Sequence, residues 1–233
     1  MSDFSKIRVA DCETTGFPEE GGRLVEAAWN DIDIASKAVG PMFSTLVNPG
    51  VPIPPTASAV HHIVDADVAS APAPEEILAR FVEGWETTIF AAHNRRFDQQ
   101  FLVTPEGAKW ICTDKVAKRV MPHASTHSNQ GLRYLVGLEV DPVLSMPPHR
   151  APADCHVTTR LLLRMLAKFD VEDMIRWTEE PVYMPTLEYG KKHPGKPWAD
   201  VPTDYIRWMC HEADYVPADV LENAKFHLQQ RGW

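Results

Sequence analysis

The chain has 233 residues, 44% of them hydrophobic and 24% charged, which is typical of a globular protein with one sizeable core. Its formal net charge of −9 argues against a protein that coats nucleic acid regardless of sequence, because such proteins are basic. An enzyme that binds only the end of a nucleic-acid strand is compatible with this net charge, because clustered metal-binding carboxylates add to the negative charge.

No apolar run approaches transmembrane length, and the N-terminal residues lack the apolar region of a signal peptide. The four cysteines, at positions 12, 112, 155 and 210, include no C-x-x-C pair. Cys12 and Cys112 lie in apolar, strand-like runs, which predicts buried free thiols in a reducing compartment. The expectation is a cytoplasmic protein with no membrane partner.

Strands and helices alternate along the first three quarters of the chain. Alternating apolar residues and turn signals predict strands over 7–12, 23–30, 43–47, 87–93 and 110–113. Helical spacing predicts helices over 56–62, 74–85, 97–102, 114–121 and 128–138, and a long apolar helix with Pro152 in its first turn. Asn94 and Thr113 are candidate N-caps. This order predicts an α/β domain with a mixed sheet flanked by helices.

The pattern changes near Pro181, where a stretch rich in proline, glycine and lysine begins. Two helices are predicted to follow it, over 203–213 and 217–230. We therefore predict a main domain over 1–180 and a small C-terminal module over 181–233, which is too small to be stable without support.

The stretch RVADCETTG (8–16) places two carboxylates, Asp11 and Glu13, at alternate positions of the first strand. Successive strand side chains point to opposite faces, so these two share a face and lie about 6 to 7 Å apart. Like charges held so close are unfavourable unless something positive lies opposite them. Two interpretations are open at this point. One is a solvated acidic edge strand, and the other is a cation site that needs further carboxylates downstream.

Two downstream segments supply such carboxylates. AAHNRRFDQQFL (91–102) has Asp98 one helical turn past Asn94, where a strand has just ended, and HRAPADCH (149–156) has Asp154 in the first turn of the long helix. Each aspartate alone is explained by its favourable interaction with the helix macrodipole. His149 alone is explained as an exposed loop residue. Together with Asp11 and Glu13, however, they form a known pattern.

The motifs D-x-E-T-T-G, H-N-x-x-F-D and H-x-A-x-x-D, in this order and spacing, resemble the DnaQ-like 3′→5′ exonucleases of the DEDD type, histidine subclass. The resemblance covers residues 7 to about 168, and LVEAA (24–28) and AVHHI (59–63) agree with it. Residues 110–122 and 189–208 resemble one DNA-degrading branch of the family. The resemblance implies a ribonuclease H-like fold.

The resemblance also implies a metal-dependent exonuclease that hydrolyses phosphodiester bonds at DNA 3′ ends and releases mononucleotides, in DNA repair or recombination. Two Mg²⁺ ions are expected, with Mn²⁺ able to substitute. Their implied ligands are Asp11, Glu13, Asp98 and Asp154, with Asp11 bridging. His149 is the implied general base, because a free imidazole near neutral pH accepts a proton from water.

The same resemblance implies that five residues contact the terminal nucleotide: Thr14, Val60, His61, Asn94 and Phe97. Core packing explains Phe97 and Val60 equally well. Five basic residues are candidates for phosphate contacts, although a solvated helix face explains the last three as well: Arg95, Arg96, Lys115, Lys118 and Arg119. In the C-terminal module, the candidates for holding nucleic acid are Lys191, Lys192, Lys196, Tyr189 and Trp198, unless this module is only a packing appendage.

Two other functions are compatible with the sequence. A 3′→5′ exoribonuclease or oligoribonuclease would keep the chemistry and differ in how the pocket treats the 2′-hydroxyl. A non-catalytic nucleic-acid-binding module would keep the fold without activity, but a lapsed site tends to lose at least one costly buried charge, and all four acids are present. The expected partner is therefore a DNA 3′ end, single-stranded or frayed, with RNA as the alternative.

Overall fold

The computed structural model describes residues 4–213 and 215–233. Two compact units are present, the first comprising the described residues up to 114 together with 126–171, and the second comprising 115–125 together with 172–233. The division predicted from the sequence, between 1–180 and 181–233, stays a prediction.

The first unit is built on a five-stranded mixed sheet. Its strands are β1 (Lys6–Thr14), β2 (Leu24–Asp33), β3 (Phe43–Leu46), β4 (Thr88–Ala92) and β5 (Lys109–Cys112). They lie in the order β3-β2-β1-β4-β5, with β1 antiparallel to β2 and parallel to β4. β3 is antiparallel to β2, and β5 is parallel to β4. All five predicted strands are confirmed, as is the mixed sheet.

The helices of the first unit follow the predicted order. They are α1 (Pro55–His61), α2 (Asp65–Val68), α3 (Pro74–Phe81), α4 (Arg95–Phe101), the start of α5 (Thr113–Val120), α6 (Asn129–Leu135) and α7 (Ala151–Leu166). The short helix α2 was not predicted. The helix predicted over 74–85 ends at Phe81, and a single 3-10 turn, Trp85–Thr87, leads into β4.

The two faces of β1 pack differently. Ala10 and Cys12 join an apolar cluster that includes Phe81, Phe90 and Trp110, and burying a large apolar side chain contributes roughly 1.5 to 3 kcal/mol. The opposite face of the sheet lies against α7, which begins with Pro152 in its first turn as predicted and is buried on most sides. The exposed positions of α7 include Arg160 and Arg164, whereas its buried positions include apolar residues such as Val157 and Leu161.

The second unit has its own apolar core. Its helices are the remainder of α5, α8 (Val171–Glu179), α9 (Thr203–His211) and α10 (Ala218–Gln230), of which α8 was not predicted. The core consists of Leu187, Trp198, Val201, Ile206, Met209, Val220, Ala224 and Leu228. Trp198 is only 2% exposed, so the prediction that it holds nucleic acid is wrong: its ring stabilises this core.

Two basic residues of α5 also differ from their predictions. Lys115 is buried, and its Nζ donates to the carbonyls of Thr178 at 2.8 Å and Glu180 at 2.5 Å. It therefore neither contacts phosphate nor forms a solvated helix face. Arg119 forms an ion pair with Glu180 and lies over the Trp177 ring. Both side chains stabilise the second unit.

The cysteines are free, and Cys12 and Cys112 are buried as predicted. Among residues 4–213 and 215–233, no helix combines the length and apolar character needed to span a bilayer.

Candidate active site

The carboxyl ends of β1 and β4 border a cavity of about 360 Å³. Residues from separate elements of the first unit line it: Asp11, Cys12, Glu13, His93, Asn94, Phe97, Asp98, Ser128, Asn129, Gln130, His149 and Asp154. The structure thus brings together the four carboxylates and the histidine that the motifs single out. Two of the five predicted nucleotide contacts, Asn94 and Phe97, are also there.

The register of β1 and β2 fixes the first two carboxylates. Asp11 lies opposite Ala28, and Glu13 lies opposite Glu26. Paired residues two positions apart share a face of the sheet, so Asp11, Glu13 and Glu26 lie on the same face. Two glutamates directly opposite each other are normally destabilising, and this pairing needs compensation from elsewhere.

Compensation for Glu26 comes from the start of α7. The Glu26 carboxylate is 3% exposed and accepts hydrogen bonds from Arg150 Nε at 3.0 Å and Nη2 at 2.6 Å. It also accepts one from the backbone N–H of Ala151 at 2.8 Å. Bidentate, charge-assisted pairs of this kind are strong and directional. Glu26 therefore holds the beginning of α7, and with it Asp154, next to β1.

Asp98 lies in the first turn of α4 and is buried. Its Oδ1 accepts hydrogen bonds from the Cys12 backbone N–H at 3.1 Å and from Cys12 Sγ at 3.4 Å, which holds Asp98 beside β1. Asn94 occupies the N-cap position, but its side chain makes no capping hydrogen bond, so that part of the prediction is wrong. Its side chain lines the cavity instead.

Thr113 also differs from its predicted capping role. It is the first residue of α5, and its hydroxyl pairs with His93 Nδ1 at 2.9 Å. His93 Nε2 pairs with the carbonyl of His127 at 2.8 Å. His93, at the end of β4, thereby fixes the segment that leads into α6.

Asp154 is held on both carboxylate oxygens. Oδ2 accepts from the backbone N–H of His149 at 2.7 Å, and Oδ1 accepts from Gln130 Nε2 at 2.7 Å. Asn129 Nδ2 donates to the Asp154 carbonyl at 3.0 Å. The backbone of His149 is left-handed, with φ of 60°, a conformation that costs about 1 kcal/mol or more for a residue other than glycine. Its bond to Asp154 helps to hold that conformation, and its side chain is exposed.

The cavity brings carboxylates close together with too few positive groups to offset their repulsion. Desolvation raises the pKa of Asp98 to about 7. Desolvation, followed by repulsion from Asp154, Glu26 and Asp98, raises the pKa of Glu13 to about 8. Desolvation and the three other cavity carboxylates raise the pKa of Asp11 well above its usual range. The cavity therefore attracts positive charge.

The donor set suits hard divalent cations, because all four side chains offer carboxylate oxygens. Within the described part of the chain, no group of three or more His, Cys, Asp or Glu side chains is arranged to hold an ion by itself. Mg²⁺ at such sites usually keeps several waters and binds one or two carboxylates together with substrate phosphate, so an all-protein cage is not required.

The three other predicted nucleotide contacts do not line the cavity. The Thr14 hydroxyl donates to the Gly16 carbonyl at 2.8 Å. Val60 is 47% exposed, so it is not a core residue. His61 is buried, its Nδ1 accepts from the Ile63 N–H at 3.0 Å, and its Nε2 has no hydrogen-bond partner among the described residues.

Phe97 lies both in the core and at the cavity, the two positions that the sequence left open for it. Its ring packs against Phe101 and meets Phe17 edge to face, with the ring centroids of Phe97 and Phe17 6.3 Å apart. One part of Phe97 therefore belongs to the core and another part lines the cavity.

Arg150 and Gln130 are among the contributors to the site that sequence reasoning missed. Arg150, which clamps Glu26, lies 124 residues from it along the chain. Gln130 lies inside a correctly predicted helix and belongs to no motif. An isolated glutamate inside the apolar strand β2 was the one local signal that a partner for Glu26 existed.

The fold and the site together define a nuclease. A family model described as an exonuclease matches residues 9–162, and the chain belongs to this exonuclease family. The predicted class of enzyme, an exonuclease that hydrolyses phosphodiester bonds, is confirmed. Over nearly its full length the chain is similar to Exodeoxyribonuclease 10 of Escherichia coli (strain K12). The two are 34% identical over 228 residues, which cover 96% of this chain and 99% of that protein.

Solved structures agree with this assignment. Exonuclease X in complex with 5′ overhanging duplex DNA superposes with a TM-score of 0.62 and 34% identity, over 74% of this chain and 99% of that chain. The DNA-degrading branch that residues 110–122 and 189–208 resemble is that of exonuclease X. The similarity of this chain to exonuclease X is confirmed. The nuclease domain of 3'hExo, a DEDDh family member bound to rAMP, superposes with a TM-score of 0.60 at 16% identity, over 70% of this chain and 92% of that chain, and shows the fold alone. The predicted ribonuclease H-like fold is confirmed.

Proposed function

We propose that this chain is a metal-dependent 3′→5′ exonuclease that hydrolyses phosphodiester bonds at DNA 3′ ends and releases mononucleotides. The observation that supports this most strongly is the cavity in which Asp11, Glu13, Asp98 and Asp154 meet, where burial and mutual repulsion raise the pKa values of Asp11 and Glu13. The nearly full-length similarity to an exodeoxyribonuclease favours DNA as the substrate. A role in DNA repair or recombination is part of the proposal.

Exonucleases of this family generally use divalent metal ions. The proposed ligands are Asp11, Glu13, Asp98 and Asp154, and the proposed ions are two Mg²⁺, with Mn²⁺ able to substitute. Bound cations supply positive charge for the phosphate and the leaving oxygen, and lower the pKa of water. Asp11 would hold the cations together with Asp98, Asp154 and Glu13, all of which lie near enough to raise its pKa.

His149 is the proposed general base. Its imidazole would accept the proton of the attacking water, and its backbone N–H, bonded to Asp154, would keep the loop beside a metal ligand. His149→Ala is expected to lower turnover about 10²- to 10⁴-fold while leaving Mn²⁺ affinity nearly unchanged. Single-turnover kinetics and Mn²⁺ titration test this, and equal losses in both would contradict the assignment.

The proposal extends to residues beyond the metal ligands and the base. Asn94 and Phe97 would contact the terminal nucleotide, and Thr14, Val60 and His61 are proposed as contacts on the family resemblance alone. Residues 1–180 are proposed as the exonuclease domain and 181–233 as a small C-terminal module to which no role is assigned. The free thiols support a cytoplasmic location.

The experiment uses 5′-labelled single-stranded DNA and the matching RNA, each with Mg²⁺ or with EDTA. The wild type is expected to shorten DNA from its 3′ end in Mg²⁺ alone, and Asp11→Ala is expected to be inactive. Asp170→Ala, which removes an exposed acid that does not line the cavity, is the matched control. Shortening of RNA in place of DNA would indicate an exoribonuclease, and binding of either strand without cleavage would indicate a non-catalytic module.

A further inference from the structure

The α6 wall of the cavity holds Asp154 through a side chain that no motif marks. Gln130 Nε2 donates to Asp154 Oδ1 at 2.7 Å, and Gln130 Oε1 accepts from Arg133 Nη1 at 3.2 Å. We propose that Gln130 is a positioning residue that fixes the orientation of the Asp154 carboxylate for cation binding, and that Arg133 fixes Gln130. This inference rests on the proposed function, which assigns Asp154 to a metal.

The Asp154 carboxylate needs such fixing because the last torsion of an aspartate is broad and allows the group to turn. Two donors on different oxygens remove that freedom, Gln130 on Oδ1 and the His149 N–H on Oδ2. Each carboxylate oxygen keeps a second acceptor position, so both stay able to bind a cation. Loss of such an outer partner typically weakens metal affinity about 10- to 100-fold.

The neighbours of Gln130 determine which way its amide points. Arg133 has only donors and therefore faces Oε1, whereas Asp154 Oδ1 accepts a hydrogen bond and therefore faces Nε2. Reversing the amide would set donor against donor and acceptor against acceptor. A glutamate at this position would add a further negative charge to the cavity, and a methionine would fill the space without a donor. The position thus requires an amide.

Arg133 also reaches the loop that carries the proposed base. Its Nη1 donates to the Ser145 carbonyl at 3.3 Å and lies 3.9 Å from Met146 Sδ. That loop continues to His149, whose N–H bonds to Asp154. One guanidinium therefore connects α6, the loop and, through Gln130, the Asp154 carboxylate.

A purely structural role for Gln130 is distinguishable, because α6 is fixed by other contacts. Ser128 caps its N-terminus, Leu132 is fully buried, and Asn129 bonds to the backbone carbonyl of Asp154. Removing the Gln130 donor while keeping its volume is therefore expected to leave the fold intact. What it changes is the freedom of one carboxylate.

The test is Gln130→Met in the full chain, because methionine matches the length of glutamine without its donor. Mn²⁺ affinity of the substrate-free protein is measured from the electron paramagnetic resonance signal of unbound Mn²⁺. We expect affinity about 10- to 100-fold weaker than wild type, with an unchanged melting temperature in EDTA. Gln229→Met, the same substitution at an exposed position of α10, is the control and is expected to bind Mn²⁺ like the wild type.

Arg133→Lys is the second variant. Lysine keeps the charge, but its flexible ammonium group lacks the fixed planar geometry that directs Arg133 Nη1 to both Gln130 Oε1 and the Ser145 carbonyl. We expect Mn²⁺ affinity to fall about twofold to tenfold, the effect of one hydrogen bond, with kcat lowered at saturating metal and KM for DNA unchanged. A higher KM for DNA, with kcat and Mn²⁺ affinity unchanged, would contradict the positioning role.

The outcomes separate this inference from the proposed function. If the wild type binds Mn²⁺ and Gln130→Met binds it equally well with an intact fold, the inference about Gln130 is overturned and the metal-dependent site stands. If the wild type binds no Mn²⁺ and degrades DNA in EDTA, the proposed metal dependence fails, and the inference fails with it.

Discussion

Strand β1 carries charged side chains at both ends, and the two ends treat charge in opposite ways. Near its start, Asp31 of β2 accepts from Arg8 Nε at 2.7 Å and Lys6 Nζ at 2.8 Å. Desolvation alone would raise the pKa of Asp31, but the hydrogen bonds from Arg8 and Lys6 outweigh it and hold the pKa below its usual range. Near its end, Asp11 and Glu13 face further acids, and their pKa values are raised.

The contrast shows what each end of β1 is for. Paired charges at the start of β1 add specificity to the β1–β2 register, since each partner satisfies the other. Unpaired carboxylates at the end of β1 oppose folding, and a protein retains such groups where a ligand needs them. The paired end is structural, and the unpaired end is the proposed cation site.

Among substitutions at the two ends of β1, the largest expected effect is the loss of activity in Asp11→Asn. The amide keeps the shape but removes the charge of a proposed metal ligand, so turnover is expected to fall about a thousandfold or more, as for loss of several kcal/mol of metal-derived stabilisation. The same variant is expected to be more stable than wild type at pH 8 in EDTA, because one repulsion is gone. Steady-state kinetics and urea unfolding measure the two effects, and a less stable protein would contradict the account.

The two ends are also expected to give opposite dependences of stability on pH. A carboxyl with a raised pKa binds its proton more tightly in the folded state, so its contribution is greatest at low pH and is lost as pH rises toward the folded pKa, about 8 for Glu13. We expect Glu13 alone to lower the unfolding free energy of the metal-free protein by on the order of 3 kcal/mol between pH 5 and pH 8, and Asp98 and Asp11 to add to this loss. Asp31, with a lowered pKa, loses its contribution only as pH falls through its folded pKa, in the acid range.

Urea unfolding in EDTA across this range tests the pH prediction, with Glu13→Gln as the comparison. Glu13→Gln is expected to flatten the slope between pH 5 and pH 8, whereas Asp31→Asn is expected to leave that slope unchanged. Equal slopes in wild type and Glu13→Gln would show that the cavity carboxylates are compensated after all.

A smaller effect is expected from Arg8→Met at the paired end. Arg8 is 6% exposed and also donates to the carbonyl of Phe81, so its loss leaves Asp31 with one partner and a buried carbonyl without its donor. We expect a loss of about 2 to 4 kcal/mol of unfolding free energy. Activity per folded molecule is expected to stay at the wild-type level at 25 °C, and a specific loss of turnover would mean that the two ends are coupled.

The smallest effect is expected from Lys6→Met. Lys6 and Asp31 are 27% and 30% exposed, and exposed ion pairs contribute about 0 to 1 kcal/mol. The loss of unfolding free energy is therefore expected to stay below about 1 kcal/mol and to shrink in 1 M salt. A loss as large as that of Arg8→Met would require Lys6 to be buried in solution.

Much of the site was predictable because its residues occupy fixed positions in local elements. Strand alternation placed Asp11 and Glu13 on one face, and helix-start patterns placed Asp98 and Asp154 in first turns. Each of these rules involves only neighbours along the chain. The convergence of the four on one cavity followed from the family resemblance, since no local rule specifies it.

What escaped prediction depends on long-range contacts. Glu26 and Arg150 meet across 124 residues, and Lys115 bonds to a carbonyl 63 residues away. No periodicity in the sequence encodes such pairs. A lysine is also expected to be exposed, so its residue type predicts the opposite of the burial found for Lys115. The helix α8 was missed because its two buried residues, Met174 and Thr178, include a polar one, which weakens the apolar pattern.

The most direct test of the central claim is whether Mg²⁺ compensates the repulsion between the cavity carboxylates. Unfolding free energy is measured at pH 8 with EDTA or saturating Mg²⁺, for the wild type and for Asp11→Asn. The account predicts that Mg²⁺ stabilises the wild type, by about 2.7 kcal/mol at a concentration 100 times its Kd, and has far less effect on Asp11→Asn. Equal stabilisation of both proteins, or of neither, would contradict the assignment of this cavity to divalent cations.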